Sequence, residues 1–488
     1  MSASLKPGAA ITLDDLVAGA LLEQSDVSAV EQFEAEHDAG AIPDQARYYE
    51  RLLPANPPGP GEQYAFEVDL DACSGCKACV VACHNLNGLD EDESWRRTGL
   101  LVGGDSADPY QQTVTAACHH CADPGCLNGC PVNAYEKDPD TGIVRHLDDQ
   151  CIGCKYCTLT CPYEVPVYSE SRGIVRKCDM CTQRLGVGEA PACVQACPSQ
   201  AIRISVVKTP ATEPLVPGAP DSRITQPTTR YTTTKSIPEN TQPADSPRPR
   251  EAHLPLVIML VLTQLSVGTY LFLPDAKLAL FSLIACAVAL VVSTLHLGRP
   301  QFAFRAILGI GHSWLSREIV AFGGFAKFAA LYTATLWIPM LDIPILRYAA
   351  AGGMIIAGLS GVFCSAMLYH VTAKPSWRLP LSGGKFLFTT VLLGSAAAGA
   401  WPLANLAGIG KLFCELRTFQ TCADSATLML GPLRRVTTAR FAIFAIGLLL
   451  LPFATWPALA LLIAGQLCER YLFFTCIAAP KMPGEALP

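Results

Sequence analysis

The hydrophobic pattern divides the chain into two unlike halves. Up to about residue 206, apolar positions come in short groups broken by Cys, Pro, Gly and charged residues. From residue 254 they run in blocks close to the ~20 residues that carry a helix across a bilayer. Seven blocks are clear: 254–273, 278–297, 319–341, 345–371, 386–401, 441–456 and 458–478. An eighth, 403–419, is short and interrupted by Lys411, Glu415 and Arg417. Basic residues favour counting it, because cytoplasmic loops collect Lys and Arg. With eight spans, Arg248, Arg250, Arg299, Arg305, Arg317, Lys374, Arg378, Lys385, Arg434, Arg435 and Arg440 share one face, and the other keeps little beyond Lys277 and Arg347. With seven, the last three change sides and the bias shrinks. Residues 253–480 are therefore expected to form an all-α polytopic membrane bundle, with eight spans preferred and seven possible. The N-terminal body is expected on the cytoplasmic side of the inner (plasma) membrane.

Three segments precede the bundle. Residues 1–62 read as a helical extension: Thr12 precedes Leu13, Leu16, Val17 and Leu21 with Asp15 three positions on, and Ser28 and Glu31 repeat the capping pattern. Residues 63–207 hold the cysteine-rich body. Residues 208–252, rich in Pro, Thr, Ser and Arg, read as a semi-extended linker that sets that body apart from the bundle.

Composition narrows the chemistry. Hydrophobic residues make up 50% and charged residues 16%, and mean hydropathy is +0.30. A net charge of −6 gives no footprint for nucleic acid, so none is expected as a partner. Of 22 cysteines, sixteen fall between Cys73 and Cys197, and six are scattered singly through the apolar half as small core residues. A disulfide scaffold suits small secreted domains. The first forty residues are acidic and lack a basic start followed by an apolar stretch, so the cysteines are expected to stay reduced and bind metal. An iron–sulfur protein exported folded with a partner would also lack its own signal, so the compartment stays open on this ground.

The sixteen cysteines form four runs: Cys73, Cys76, Cys79, Cys83; Cys118, Cys121, Cys126, Cys130; Cys151, Cys154, Cys157, Cys161; and Cys178, Cys181, Cys193, Cys197. Each ends in x3-Cys, and the last three continue into proline. The third is C-x2-C-x2-C-x3-C-P, the spacing with which a bacterial-type ferredoxin caps three irons of one cubane and sends its fourth thiolate to another. A zinc ribbon needs only two C-x2-C pairs and no terminal x3-C-P. Four [4Fe–4S] clusters, with all sixteen cysteines as iron ligands, are thus expected in an α+β ferredoxin-like domain. His84, His119 and His120 adjoin ligands in runs already supplied with four thiolates. Lys77, Lys155, Arg176 and Lys177 could offset cluster charge, or be ordinary solvated cations. Clusters in series mean electron transfer, and no nucleotide-binding glycine loop is present: Gly186 and Gly188 lack a third glycine at the required spacing.

In the bundle, ionisable groups at span ends are the functional candidates. His296-Leu297-Gly298-Arg299-Pro300 closes the second block and Trp314-Leu315-Ser316-Arg317-Glu318 opens the third. His296, Arg299 and Glu318 thereby gather near one face, as quinol oxidation needs: groups that hydrogen-bond the hydroxyls and accept two protons. Interfacial anchoring by Trp and Arg reads the same spacing equally well. His253, His296, His312 and His370 all sit near one face with none mid-span, so no haem is expected.

The sixteen-cysteine region resembles the iron–sulfur subunit of the dimethyl sulfoxide reductase family, most closely from Cys118 to Pro198, through Asp148-Asp149-Gln150-Cys151-Ile152-Gly153-Cys154 and Arg176-Lys177-Cys178-Asp179-Met180-Cys181. Residues 254–478 resemble the same family's membrane anchor, chiefly at His296–Pro300 and Ser316-Arg317-Glu318. The chain thus looks like both subunits fused, though the family's sixth span is longer and more apolar than 403–419. The resemblance implies that outer runs pair with each other and inner with inner. Cys73, Cys76 and Cys79 would share a cluster with Cys197; Cys178, Cys181 and Cys193 with Cys83; Cys118, Cys121 and Cys126 with Cys161; and Cys151, Cys154 and Cys157 with Cys130. Some relatives lose the residue equivalent to Cys154 and hold a three-iron cluster; here it is present. The resemblance further implies a role for His296 and the loop that follows in menaquinol oxidation, and a separate molybdopterin-containing catalytic subunit. With a cytoplasmic cluster domain, that partner could reduce nitrate as readily as a sulfoxide. Two other readings are a scaffold that holds clusters without oxidising quinol, and a proton-translocating module.

Overall fold

The computed structural model describes residues 46–210 and 212–484, together with Leu13 and Val17. The capping patterns at Thr12 and Ser28 lie outside the described residues. An α/β domain of ferredoxin-like build comes first and a helical bundle follows.

β1 (Glu62–Asp69) alternates buried and half-exposed positions, with Phe66 and Val68 in the core. Two hydrogen-bonded strands follow, β2 (Arg97–Gly104) and β3 (Pro109–Ala116). β4 (Tyr135–Lys137) with β5 (Val144–His146) and β6 (Val167–Ser169) with β7 (Ile174–Arg176) make two short hairpins. β8 (Ile202–Lys208) returns antiparallel to β1, with Val68 opposite Ile202.

Residues 208–252 do not hang free as a tether. β9 (Arg230–Thr232) pairs parallel with β1, and β10 (Gln242–Pro243) pairs with β2. The Thr228 hydroxyl donates to the His119 carbonyl at 2.8 Å, and Asp71 accepts from both the amide and the hydroxyl of Thr234. Its polar side chains and backbone thus find partners on the cluster domain, so a composition unable to build a core still folds onto one. The far end of the chain also returns here: Met482 is buried in this domain's core and the Gly484 amide donates to Asp245. The two halves are one packed structure.

Among the described residues, the bundle contains eight helices of 17 to 27 residues: α1 (Leu254–Tyr270), α2 (Ala276–Thr294), α3 (Trp314–Trp337), α4 (Pro344–His370), α5 (Leu379–Ala397), α6 (Trp401–Thr421), α7 (Arg434–Leu450) and α8 (Thr455–Thr475). By length and composition α2, α3, α4 and α8 are apolar enough to cross a membrane. α6 is the segment that hydropathy treated as doubtful, and its structure explains why. Lys411 and Glu415 point inward, where Lys411 meets Glu469 of α8 at 3.2 Å and Glu415 accepts from Arg440 of α7 at 2.7 Å. Arg470 also pairs with Glu469 and donates to Gln264 of α1 at 3.0 Å. Charges that lower the hydropathy of single helices thus pair with each other across helices. Lys385 and Arg440, expected among the loop charges of one face, are buried within α5 and α7. Those helices begin several residues before their apolar blocks.

Candidate functional site

The order of strands explains how cysteines far apart in sequence meet. β1 leads into the first run and the fourth leads into β8, so their antiparallel pairing brings Cys73, Cys76, Cys79 and Cys197 around one small cavity. Cys118, Cys121, Cys126 and Cys161 surround a second. Cys83 faces Cys178, Cys181 and Cys193, and Cys130 gathers with Cys151, Cys154 and Cys157. The sixteen cysteines are therefore grouped in four tetrads with the partners that the resemblance implied.

These donor sets fit iron–sulfur cubanes. Among the described residues, no three His, Cys, Asp or Glu close on a point that a single metal ion could occupy. Tetrahedral zinc needs four ligands at about 2.0–2.3 Å from one centre, whereas a cubane spreads its thiolates to four separate irons. Backbone amides already point at the sulfurs: Gly153 to Cys151 at 3.4 Å, Met180 to Cys178 at 3.4 Å, Ala134 to Cys130 at 3.2 Å and Ala201 to Cys197 at 3.3 Å. Such donors stabilise thiolate and cluster charge. Burial pushes the Cys83 thiol up to about 12 and those of Cys161 and Cys181 to about 11, so iron must displace protons to bind.

Two cations are buried among the tetrads. Arg96 lies among Cys79, Cys83, Cys178 and Cys193, between the first tetrad and that of the fourth run. Lys177 lies among Cys118, Cys126 and Cys178, between that tetrad and the one of the second run, and donates to the carbonyls of Val144 and Cys178. The Tyr135 ring bridges onward to Cys157 and Cys130. The tetrads thus form a series, from Cys73 at the outer end to Cys154 at the bundle. Lys177 is a buried counter-charge, not a solvated lysine; Arg96 carries no sequence signal apart from its charge. His119 is held near 3 by burial, with Arg96 adding to the effect, and is a neutral neighbour of the sulfurs.

At the bundle end, the loop between α2 and α3 is bonded to the cluster domain through backbone. The amides of Gly298 and Arg299 donate to the carbonyls of Gly153 and Ile152 at 3.3 and 3.1 Å, inside the third cysteine run. The Gly309 amide donates to the Pro131 carbonyl at 2.8 Å, His312 Nε2 lies 3.0 Å from the Cys130 carbonyl, and the Ser313 hydroxyl donates to that of Gly129 at 2.7 Å. Arg299 belongs to this junction: its Nη1 donates to the Asp148 carbonyl at 2.9 Å, so it grips the cluster domain instead of joining His296 and Glu318. Arg305 does the same to Asp149.

Beside the junction lies a cavity of about 310 Å³. Ile152, Cys154 and Tyr156 of the third run form one wall; Leu256, Leu290, Ile319 and Phe322 form apolar sides; His296, Glu318 and Tyr369 supply polar groups. The Glu318 carboxylate accepts from the Ser365 hydroxyl, and among the described residues His296 Nδ1 is buried without a hydrogen-bond partner. Tyr156 donates to the Leu368 carbonyl at 2.7 Å, tying the cysteine run to α4. Sequence reasoning found His296 and Glu318. It missed Ser365, Tyr369 and Tyr156, which look like ordinary helix and core residues until the chain is folded.

Comparison with known proteins agrees with this geometry. Residues 110–207 match the 4Fe-4S dicluster domain family, and residues 251–417 match the DMSO reductase anchor subunit family. The B subunit of anaerobic dimethyl sulfoxide reductase from Escherichia coli (strain K12) is 40% identical over 148 residues, which is 29% of this chain and 72% of the relative. The chain belongs to the dimethyl sulfoxide reductase family. The corresponding B subunit from Haemophilus influenzae is 38% identical over 179 residues, 34% of this chain and 87% of the relative. A hydrogenase-2 operon protein of Escherichia coli O157:H7 is 33% identical over 189 residues, 33% of this chain and 56% of that protein. In dimethyl sulfoxide reductase terms this chain joins an iron–sulfur electron-transfer subunit to its membrane anchor, and so serves a catalytic partner subunit.

Proposed function

We propose that this chain oxidises membrane quinol in the cavity at His296 and Glu318 and delivers the electrons, through four [4Fe–4S] clusters, to a separate molybdopterin-containing reductase. One observation carries the reading: a cluster-ligand candidate, Cys154, and two proton acceptors, His296 and Glu318, share one mostly apolar cavity. A quinol ring fits such walls, and oxidation releases two electrons and two protons. The Glu318 carboxylate and His296 Nδ1 each accept one proton, Ser365 holds the carboxylate in place, and Tyr156 with Ile152 keeps water from the side nearest Cys154. The four tetrads would hold the clusters, whose chemistry is one-electron acceptance and release. The first tetrad, with Cys76 exposed, is the exit toward the partner. The partner's substrate is a sulfoxide, nitrate or a similar oxidised compound.

The test uses the intact complex under anaerobic conditions. Reduced naphthoquinol should bleach the iron–sulfur absorbance of the wild type. His296→Ala should slow that bleaching by about 10²-fold or more, while dithionite still bleaches it fully. Equal quinol-driven bleaching in both proteins would remove His296 from the quinol site, and no quinol-driven bleaching in the wild type would favour the scaffold reading.

The same reading gives eight membrane spans, α1 to α8, with the cluster domain at the cytoplasmic face. Arg248, Arg250, Arg299, Arg305, Arg317, Lys374, Arg378, Arg434 and Arg435 still collect at that face after Lys385 and Arg440 are counted inside the bundle. A reporter joined at residue 1 should be active only if it works inside the cell. Activity confined to an exported reporter would reverse the orientation.

A further inference from the structure

We infer that a crevice between the start of α5 and the end of α6 binds the phosphate headgroup of an anionic phospholipid. The crevice has a volume of about 560 Å³ and combines Arg378, Arg417 and Thr421 with apolar walls that include Pro380, Leu381 and Phe413. Arg378 immediately precedes α5, and Arg417 and Thr421 lie in the last turns of α6, so the mouth sits at the level of the helix ends on the side of the cluster domain. That is the depth of lipid headgroups.

Three features select an acidic lipid over other occupants. The first is charge. Both guanidinium groups are exposed, neither has a carboxylate partner among the described residues, and Arg417 is steadied by the Phe413 ring, 5.3 Å from its Cζ. Behind the crevice the imbalance continues: among the described residues, Lys385, one turn along α5 from Leu381, is buried with Lys411, Arg440 and Arg470, against Glu415 and Glu469. Among the described residues, Arg440 Nε and Nη1 and Arg470 Nε are buried without acceptors, so this cluster carries unmet donors. The second is the apolar lining, which a hydrated inorganic ion would not use. The third is a track: Leu406, Ile409, Phe413 and Leu416 are exposed at helical spacing along α6, leading from the depth of the bundle to the crevice. A diacyl phosphate ester satisfies all three at once, its phosphate between the arginines and its chains along α6. Such a lipid would also cover the helix whose own hydropathy is weakest.

The test is native mass spectrometry of the full complex, delipidated in detergent and then offered phosphatidylglycerol, phosphatidylcholine or inorganic phosphate. Wild type should retain phosphatidylglycerol in preference to phosphatidylcholine, and excess inorganic phosphate should not displace it. The double variant Arg378→Gln/Arg417→Gln should weaken retention about 30-fold, two headgroup contacts' worth, with iron–sulfur absorbance unchanged as the check on folding. Arg378→Lys/Arg417→Lys should restore most of it. Equal retention of both lipids, undiminished retention in the glutamine variant, or displacement by inorganic phosphate would each overturn the assignment.

Discussion

Glu318→Gln should lower quinol-driven electron delivery by about 10²–10⁴-fold, the range over which a positioned proton acceptor contributes. The substitution keeps the volume and leaves an amide oxygen to accept from Ser365, so the cavity wall and the packing of α3 on α4 should survive. What it removes is the capacity to take a proton. Beside Leu315, Ile319 and Phe322, water cannot easily replace that function. The measurement is stopped-flow reduction of the clusters by a soluble quinol, with dithionite reduction and iron content as controls. Glu318→Asp, which keeps the charge on a shorter arm, should fall between the two. A wild-type rate in the glutamine variant would reduce Glu318 to a polar link between helices.

This expectation depends on residues legible from the start, but not all of the site was legible in the same way. The cysteine runs announce themselves because cubane ligation imposes local spacing, and the turn within C-x2-C must bring two thiolates to one body. His296 and Glu318 stand out because ionisable groups are rare beside apolar blocks. Arg299 stood out for the same reason and proved to serve the junction, since a guanidinium one turn away from an imidazole reaches a different neighbour. Hydropathy undervalued α6 because it scores each segment as if it faced lipid. Lys411 and Glu415 instead face Glu469 and Arg440, partners 58 and 25 positions away. The Pro- and Thr-rich stretch was read as a tether for a similar reason: its β pairing to β1 and β2 depends on strands more than a hundred residues earlier. Local rules see composition and period; they do not see which distant edge is open.

The junction makes the second strong prediction. Gly298→Ala should cut quinol-driven cluster reduction roughly a hundredfold, the scale of loss expected from about 1 Å of misplacement between reacting groups. A Cβ at Gly298 would overlap the Gly173 carbonyl oxygen and lie 2.6 Å from the Tyr168 hydroxyl. Gly153, at φ +68°, presents its own backbone to the same spot, 2.9 Å from Gly298 when a Cβ is built on it. The Tyr168 side chain could swing aside, but the Gly173 backbone, which makes the nearest contact, cannot, so the added methyl must push the α2–α3 loop away from the third cysteine run. His296 precedes that glycine by two residues and Cys154 follows Gly153 by one. The Gly298–Gly153 and Arg299–Ile152 hydrogen bonds therefore fix the distance between His296 and the Cys154 sulfur. The alanine variant should still assemble clusters and be reduced by dithionite, because the tetrads lie within the other domain. Unfolding should begin at lower temperature, since overpacking of this kind costs about 1–3 kcal/mol. If quinol-driven reduction in Gly298→Ala matched the wild type, the cavity and the cysteine run would not be coupled through this contact, and the electron would have to leave the cavity by another wall.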